Sequence, residues 1–105
     1  MIPLERVKQI VNTYETLEKE LASGETNKKD FVKKSKEYSS IGEVINEARS
    51  YIGFEKEKEE LEKIIDEKNN DKEMIHLAKS ELTQLLKQHD EYEKKLKIYL
   101  LPKDE

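Results

Sequence analysis

Residues 75–99 read IHLAKSELTQLLKQHDEYEKKLKIY, and the spacing of apolar side chains within them decides the fold. Ile75, Ala78, Leu82, Leu85, His89, Tyr92, Leu96 and Tyr99 follow alternating steps of three and four. That is a near-ideal heptad seam, a single stripe down a long α-helix. A helix with such a stripe must bury it against another helix. Asn69-Asn70-Asp71 stands just upstream, where Asn70 or Asp71 can cap the helix and either choice places an acid in its first turn. Pro102 is expected to stop it.

Upstream of that break, a second stripe is built from Ile41, Val44, Ile45, Ala48, Tyr51 and Ile52, and it resumes at Leu61, Ile64 and Ile65. Ser40-Ile41-Gly42-Glu43 has the S-x-x-E form of a capping box, so a third helix is predicted to start at Ser40. Gly53 lies inside it and costs about 1 kcal/mol relative to Ala, which predicts a soft segment or a bend. The connection at 69–71 is too short for anything but an antiparallel hairpin. Two helices of about thirty residues would each span roughly 40–45 Å.

Two shorter helices precede the hairpin. The first is predicted over 3–22, with Pro3 in the opening turn, a stripe of Leu4, Val7, Ile10, Val11, Tyr14, Leu17 and Leu21, and Gly24 as a left-handed C-terminal cap. It spans about 30 Å, so the hairpin should project beyond it. The second is predicted over 28–39, capped by Asn27 with Asp30 in its first turn. Phe31, Val32, Ser35 and Tyr38 are expected on its inner face. The fold class is therefore all-α: an antiparallel helical bundle with a long helix 3–helix 4 hairpin plus two shorter N-terminal helices.

With 105 residues the chain fits one domain. Its hydrophobic share is low at 34% and its charged share high at 42%; periodicity is what argues against disorder. The net charge of −4 gives no overall pull toward nucleic acid, and nothing points to DNA. The absence of cysteine excludes disulfides and thiolate chemistry. No apolar stretch is long enough to span a membrane, and no signal peptide is visible, so a soluble cytoplasmic protein is expected.

Few residues suggest chemistry. Glu73-Met74-Ile75-His76 is a Glu-x-x-His pair, the spacing of di-iron bundle ligands. His89 has Leu86 three residues before it, so the required second pair is missing, and no metal or cofactor is expected. His89 sits in the seam and reads as a half-buried histidine hydrogen-bonded to tyrosine or backbone. The charge run at 55–60 supports its own helix through i,i+3 and i,i+4 pairs. No glycine-rich phosphate loop exists, because Gly24, Gly42 and Gly53 are isolated. These absences point away from an enzyme. Two candidate contact surfaces remain: the basic cluster Lys28, Lys29, Lys33, Lys34 and Lys36, suited to phosphate, and the projecting tip Asn69, Asn70 and Asp71.

Three strings carry a resemblance. Ser35-Lys36-Glu37-Tyr38 with Ile41 and Val44 resembles the S-[KR]-E-Y-x-x-L-x-x-V stretch of type 1 bacterial peptide chain release factors. Asp71-Lys72-Glu73-Met74 with Leu77-Ala78 is similar to their D-P-E-M-x-x-[LM]-A, with Lys72 in place of proline. Leu100-Leu101-Pro102-Lys103-Asp104 is similar to the L-L-P-K-D that ends their fourth helix. The resemblance covers essentially the whole chain and implies the family's N-terminal helical domain over 1–105. The P-x-T decoding tripeptide and the Gly-Gly-Gln loop are not in this sequence, so the resemblance implies a piece of a longer factor, inert by itself. It further implies translation termination at UAA and UAG. The implied partners are the ribosomal stalk base with its L11-type protein and ribosomal RNA, and the GTPase release factor. The competing reading from residues alone is an autonomous coiled-coil interaction module. That reading needs a helix seam open for a partner, so self-association in sedimentation would favour it; two copies of a release-factor domain could also associate, through apolar surface that the missing domains normally cover.

Overall fold

The structure is a computed structural model that describes residues 1–101. It contains α1 (Leu4–Ser23), α2 (Lys28–Gly42), α3 (Ile45–Asp66) and α4 (Lys72–Leu100), with no strand among the described residues. Pro102, expected to stop α4, lies outside the described residues, as does the 102–104 part of the last matched string.

The helix ends follow local chemistry. α1 closes on Gly24 in the left-handed conformation, at φ 71°. α2 opens on Asn27, whose Oδ1 accepts from the Asp30 amide at 2.9 Å while its Nδ2 donates to Asp30 Oδ2 at 2.9 Å. At the hairpin tip the two candidate caps divide the work. Asn70 Nδ2 donates to the Ile64 carbonyl at 2.9 Å and so closes α3, while Asp71 Oδ1 accepts from the Glu73 amide at 3.3 Å and opens α4. Both leave fewer unpaired backbone groups at the helix ends.

The third helix does not start at Ser40. Ser40, Ile41 and Gly42 complete α2, and α3 begins at Ile45 behind Val44, with no side-chain cap. A tight turn takes the place of the capping box: the amides of Glu43 and Val44 donate to the carbonyls of Ser40 and Ile41. Burial decides the matter. The corner drives Ile41, Val44 and Ile45 into the core at 3%, 4% and 6% exposure, and three large aliphatic side chains outweigh one cap worth about 1 kcal/mol. α3 is consequently 22 residues long, about 33 Å, rather than about thirty. It runs unbroken through Gly53.

α3 is the central element, packed on α4 along one side and on α1 along another, with α2 on the outer side of α1. The core gathers Ile2, Val7, Ile10 and Leu17 with the corner residues, Ala48, Tyr51 and Leu96. Val7 and Leu96 are fully buried, each contributing about 1.5–3 kcal/mol. Between residues 55 and 95, Ala78 alone is buried among the described residues. There the hairpin is two helices with half-buried faces, as expected for a segment that projects past α1.

The direction of packing sets the outline. The Ile2 backbone meets Tyr51, while Glu15 meets Arg49 and Tyr14 lies by Gly42, so α1 runs antiparallel to α3. The α1/α2 hairpin and the α3/α4 hairpin therefore overlap at the core and point to opposite ends. The molecule measures 61 × 33 × 19 Å with a radius of gyration of 18.5 Å, against about 13 Å for a compact domain of this size.

Candidate functional site

α2 projects the basic cluster, but the structure divides it. Lys34 turns toward α1, where its Nζ lies 2.6 Å from Glu20 Oε2. Its pKa is raised, chiefly by the hydrogen bond to Glu20. Lys28, Lys29, Lys33 and Lys36 are exposed. The cluster is thus four outward lysines and one inward strut.

The same helix corrects another expectation. Phe31 and Val32, placed by sequence on the inner face, are 46% and 49% exposed. The register explains this. Lys34 sits on Glu20 and Tyr38 on Tyr14, so Phe31 falls level with residues 21–23, the last turn of α1, where little of that helix remains to cover the ring. Sequence reasoning missed this pair because helical period assigns a face but not where the neighbouring helix ends.

Tyr38 does face inward. Its ring stacks on Tyr14 at 4.5 Å between centroids, and its hydroxyl donates to Glu18 Oε2 at 3.0 Å. Its phenol pKa is raised, by the Tyr14 hydroxyl first and by Glu18 second. Arg49 stands over the opposite ring, 5.6 Å from the Tyr14 centroid, a cation–π contact from α3.

At the tip, Asn70 and Asp71 spend their side chains on the helix caps, and Asn69 is exposed. The two histidines separate. His76 is exposed, and among the described residues no group of potential metal ligands gathers around it. His89 is not hydrogen-bonded to a tyrosine. Its ring stacks between Phe54 at 3.7 Å and Tyr51 at 4.8 Å, and its buried Nδ1 has no partner. The Tyr51 hydroxyl is already taken, donating to the Ile2 carbonyl at 3.0 Å and accepting from the Ile2 amide at 3.1 Å. The two hollows beside His89 hold about 70 and about 80 Å³, well below the ~300 Å³ of an ordinary small-molecule site.

The two strings of sequence that lie within the described residues map onto joints. Tyr38 clamps α2 to α1, Ile41 and Val44 form the buried corner, Asp71 caps α4, and Ala78 is buried against α3. No helix among the described residues is long and apolar enough to cross a membrane.

The PCRF domain family matches residues 10–105. A peptide chain release factor 1 from Pelagibacter ubique is 50% identical over 105 residues, covering 100% of this chain and 29% of the relative. One from Bartonella tribocorum is 39% identical over 98% of the chain and 28% of its own length. One from Caldicellulosiruptor saccharolyticus is 35% identical over 96% and 29%. The chain thus spans under a third of the length of these relatives. No solved structure matches it.

Proposed function

We propose, from the premise that this chain belongs to the PCRF domain family, that it serves translation termination as the N-terminal helical domain of a type 1 peptide chain release factor. The observation that carries the reading is the 50% identity to such a factor along the entire chain. In this reading the domain acts in the cytoplasm on the ribosome. It supplies contacts to the stalk base, its L11-type protein and ribosomal RNA, and to the GTPase release factor. Stop-codon reading at UAA and UAG and peptidyl-tRNA hydrolysis belong to the whole factor, and this domain contributes no catalytic group.

The architecture fits a contact module. Contacts at the tip around Asn69 and on the outer face of α2 would lie toward opposite ends of a 61 Å body. The autonomous coiled-coil reading needs an α4 seam open to a partner. Along α4 the seam faces α3: Ala78 and Leu96 are buried, His89 is stacked on Phe54 and Tyr51, and the other seam residues are half-buried.

The test is a quadruple replacement of Lys28, Lys29, Lys33 and Lys36 by alanine. Ribosome binding of the variant chain should fall in low salt, and its salt dependence should flatten as phosphate contacts are lost. Binding unchanged in strength and salt slope would dismiss the α2 face. Lys34 stays intact in that variant because it braces α2 on Glu20.

A further inference from the structure

α2 carries five lysines against two acids, in a chain whose net charge is −4. One of those acids, Asp30, is bonded to Asn27. The four outward lysines do not stand on a uniformly polar surface. Lys28 lies one turn before Phe31, and Val32 is flanked by Lys28, Lys29 and Lys36 at i−4, i−3 and i+4. A phenyl ring and an isopropyl group, each about half exposed, are thus set among cations.

We propose that α2 docks on unpaired RNA, with a base stacked on Phe31, Val32 against the adjoining sugar, and phosphates held by Lys28, Lys29, Lys33 and Lys36. This deepens the reading of α2 as an RNA-facing helix and rests on it. Lysine alone would treat any polyanion alike, because an ammonium is a compact point charge. The phenyl ring adds a preference. It offers a flat π-face with no polar group to satisfy, which every nucleobase can cover. A stacked base must first leave its helix. The deep, narrow major groove of duplex RNA also does not admit side chains, so the preferred element is a loop or bulge. An acidic protein surface would satisfy the lysines too, and the polyglutamate arm of the test separates it from RNA.

The experiment measures anisotropy of a fluorescein-labelled RNA stem-loop and of a blunt duplex made from its stem, titrated with the chain in low salt. The stem-loop should bind more tightly than the duplex. Phe31→Ala should weaken stem-loop binding about fivefold or more and leave duplex binding unchanged, while Phe31→Tyr retains it. The ring is half exposed, so neither substitution threatens the fold. If Phe31→Ala binds the stem-loop like the parent, stacking is overturned even where the quadruple lysine variant confirms the charged contact. If a polyglutamate peptide binds more tightly than the stem-loop and with the same sensitivity to Phe31→Ala, the partner is an acidic protein and the proposal fails. A quadruple lysine variant that binds both RNAs like the parent removes the underlying reading as well.

Discussion

Tyr51 is the residue on which the N-terminal segment and the middle of α4 converge. It is 5% exposed, and its hydroxyl takes both the amide and the carbonyl of Ile2, a residue itself buried at 6%. The ring lies against His89 of α4 at 4.8 Å. One side chain of α3 therefore secures the segment that opens α1 and a ring from α4. Tyr51→Phe keeps the packing and removes both hydrogen bonds, stranding a buried amide and a buried carbonyl. Each stranded group costs about 1–3 kcal/mol. The expected loss of stability is at least that of one group, read as a lower urea midpoint at unchanged slope. A midpoint equal to the parent's would mean that the Ile2 backbone is held by something other than the phenol.

At the scale of the element, Gly53 offers the clearest prediction. α3 passes through it without interruption, and a Cβ built there would meet Glu57 Oε1 at 3.9 Å, an ordinary contact. Gly53→Ala should stabilise the protein by up to about 1 kcal/mol, seen as a higher urea midpoint. Destabilisation would show that the glycine serves an approach by another backbone. The soft segment or bend that the sequence suggested at this point rests on propensity, and the helix is continuous there. The same logic separates what could be read from the chain from what could not. Helix number and type, the Asn27 cap, the Asn70–Asp71 pair as the place of the α4 cap and the Gly24 terminus were legible, because each rests on residues within a turn of one another. The α2–α3 boundary was not, because the burial of Ile41, Val44 and Ile45 depends on α1 passing over the corner. The candidate lysines were legible as a cluster. That Lys34 turns inward and Phe31 outward was not, since both depend on the register of α2 on α1.

For the whole molecule, ion pairs join the helices and give stability a definite acid limit. Lys95 Nζ lies 2.9 Å from Glu47 Oε1, linking α4 to α3. Burial would raise the Glu47 carboxyl, but the hydrogen bond from Lys95 helps to hold it below the usual 4.5. Glu93 is lowered too, by Lys97 first and the N-terminal amine second. A carboxylate whose folded pKa is depressed adds stability that is full above its unfolded value and lost as pH falls through the folded one. Thermal midpoints followed by far-ultraviolet circular dichroism should therefore drop as pH falls below about 4.5. Glu47→Gln should lower the neutral midpoint and shrink that acid drop, and an unchanged drop would discount the pair. The outline has a mechanical corollary. α4 runs from Lys72 to Leu100, a rod whose reach from Leu96 to the tip is about 36 Å, so tilting the hairpin by about 10° about the core swings its far end by about 6 Å. The packing of Ile2, Val7, Tyr51 and Leu96 is the fulcrum of that rod, and its tightness fixes how sharply residues 69–71 are aimed.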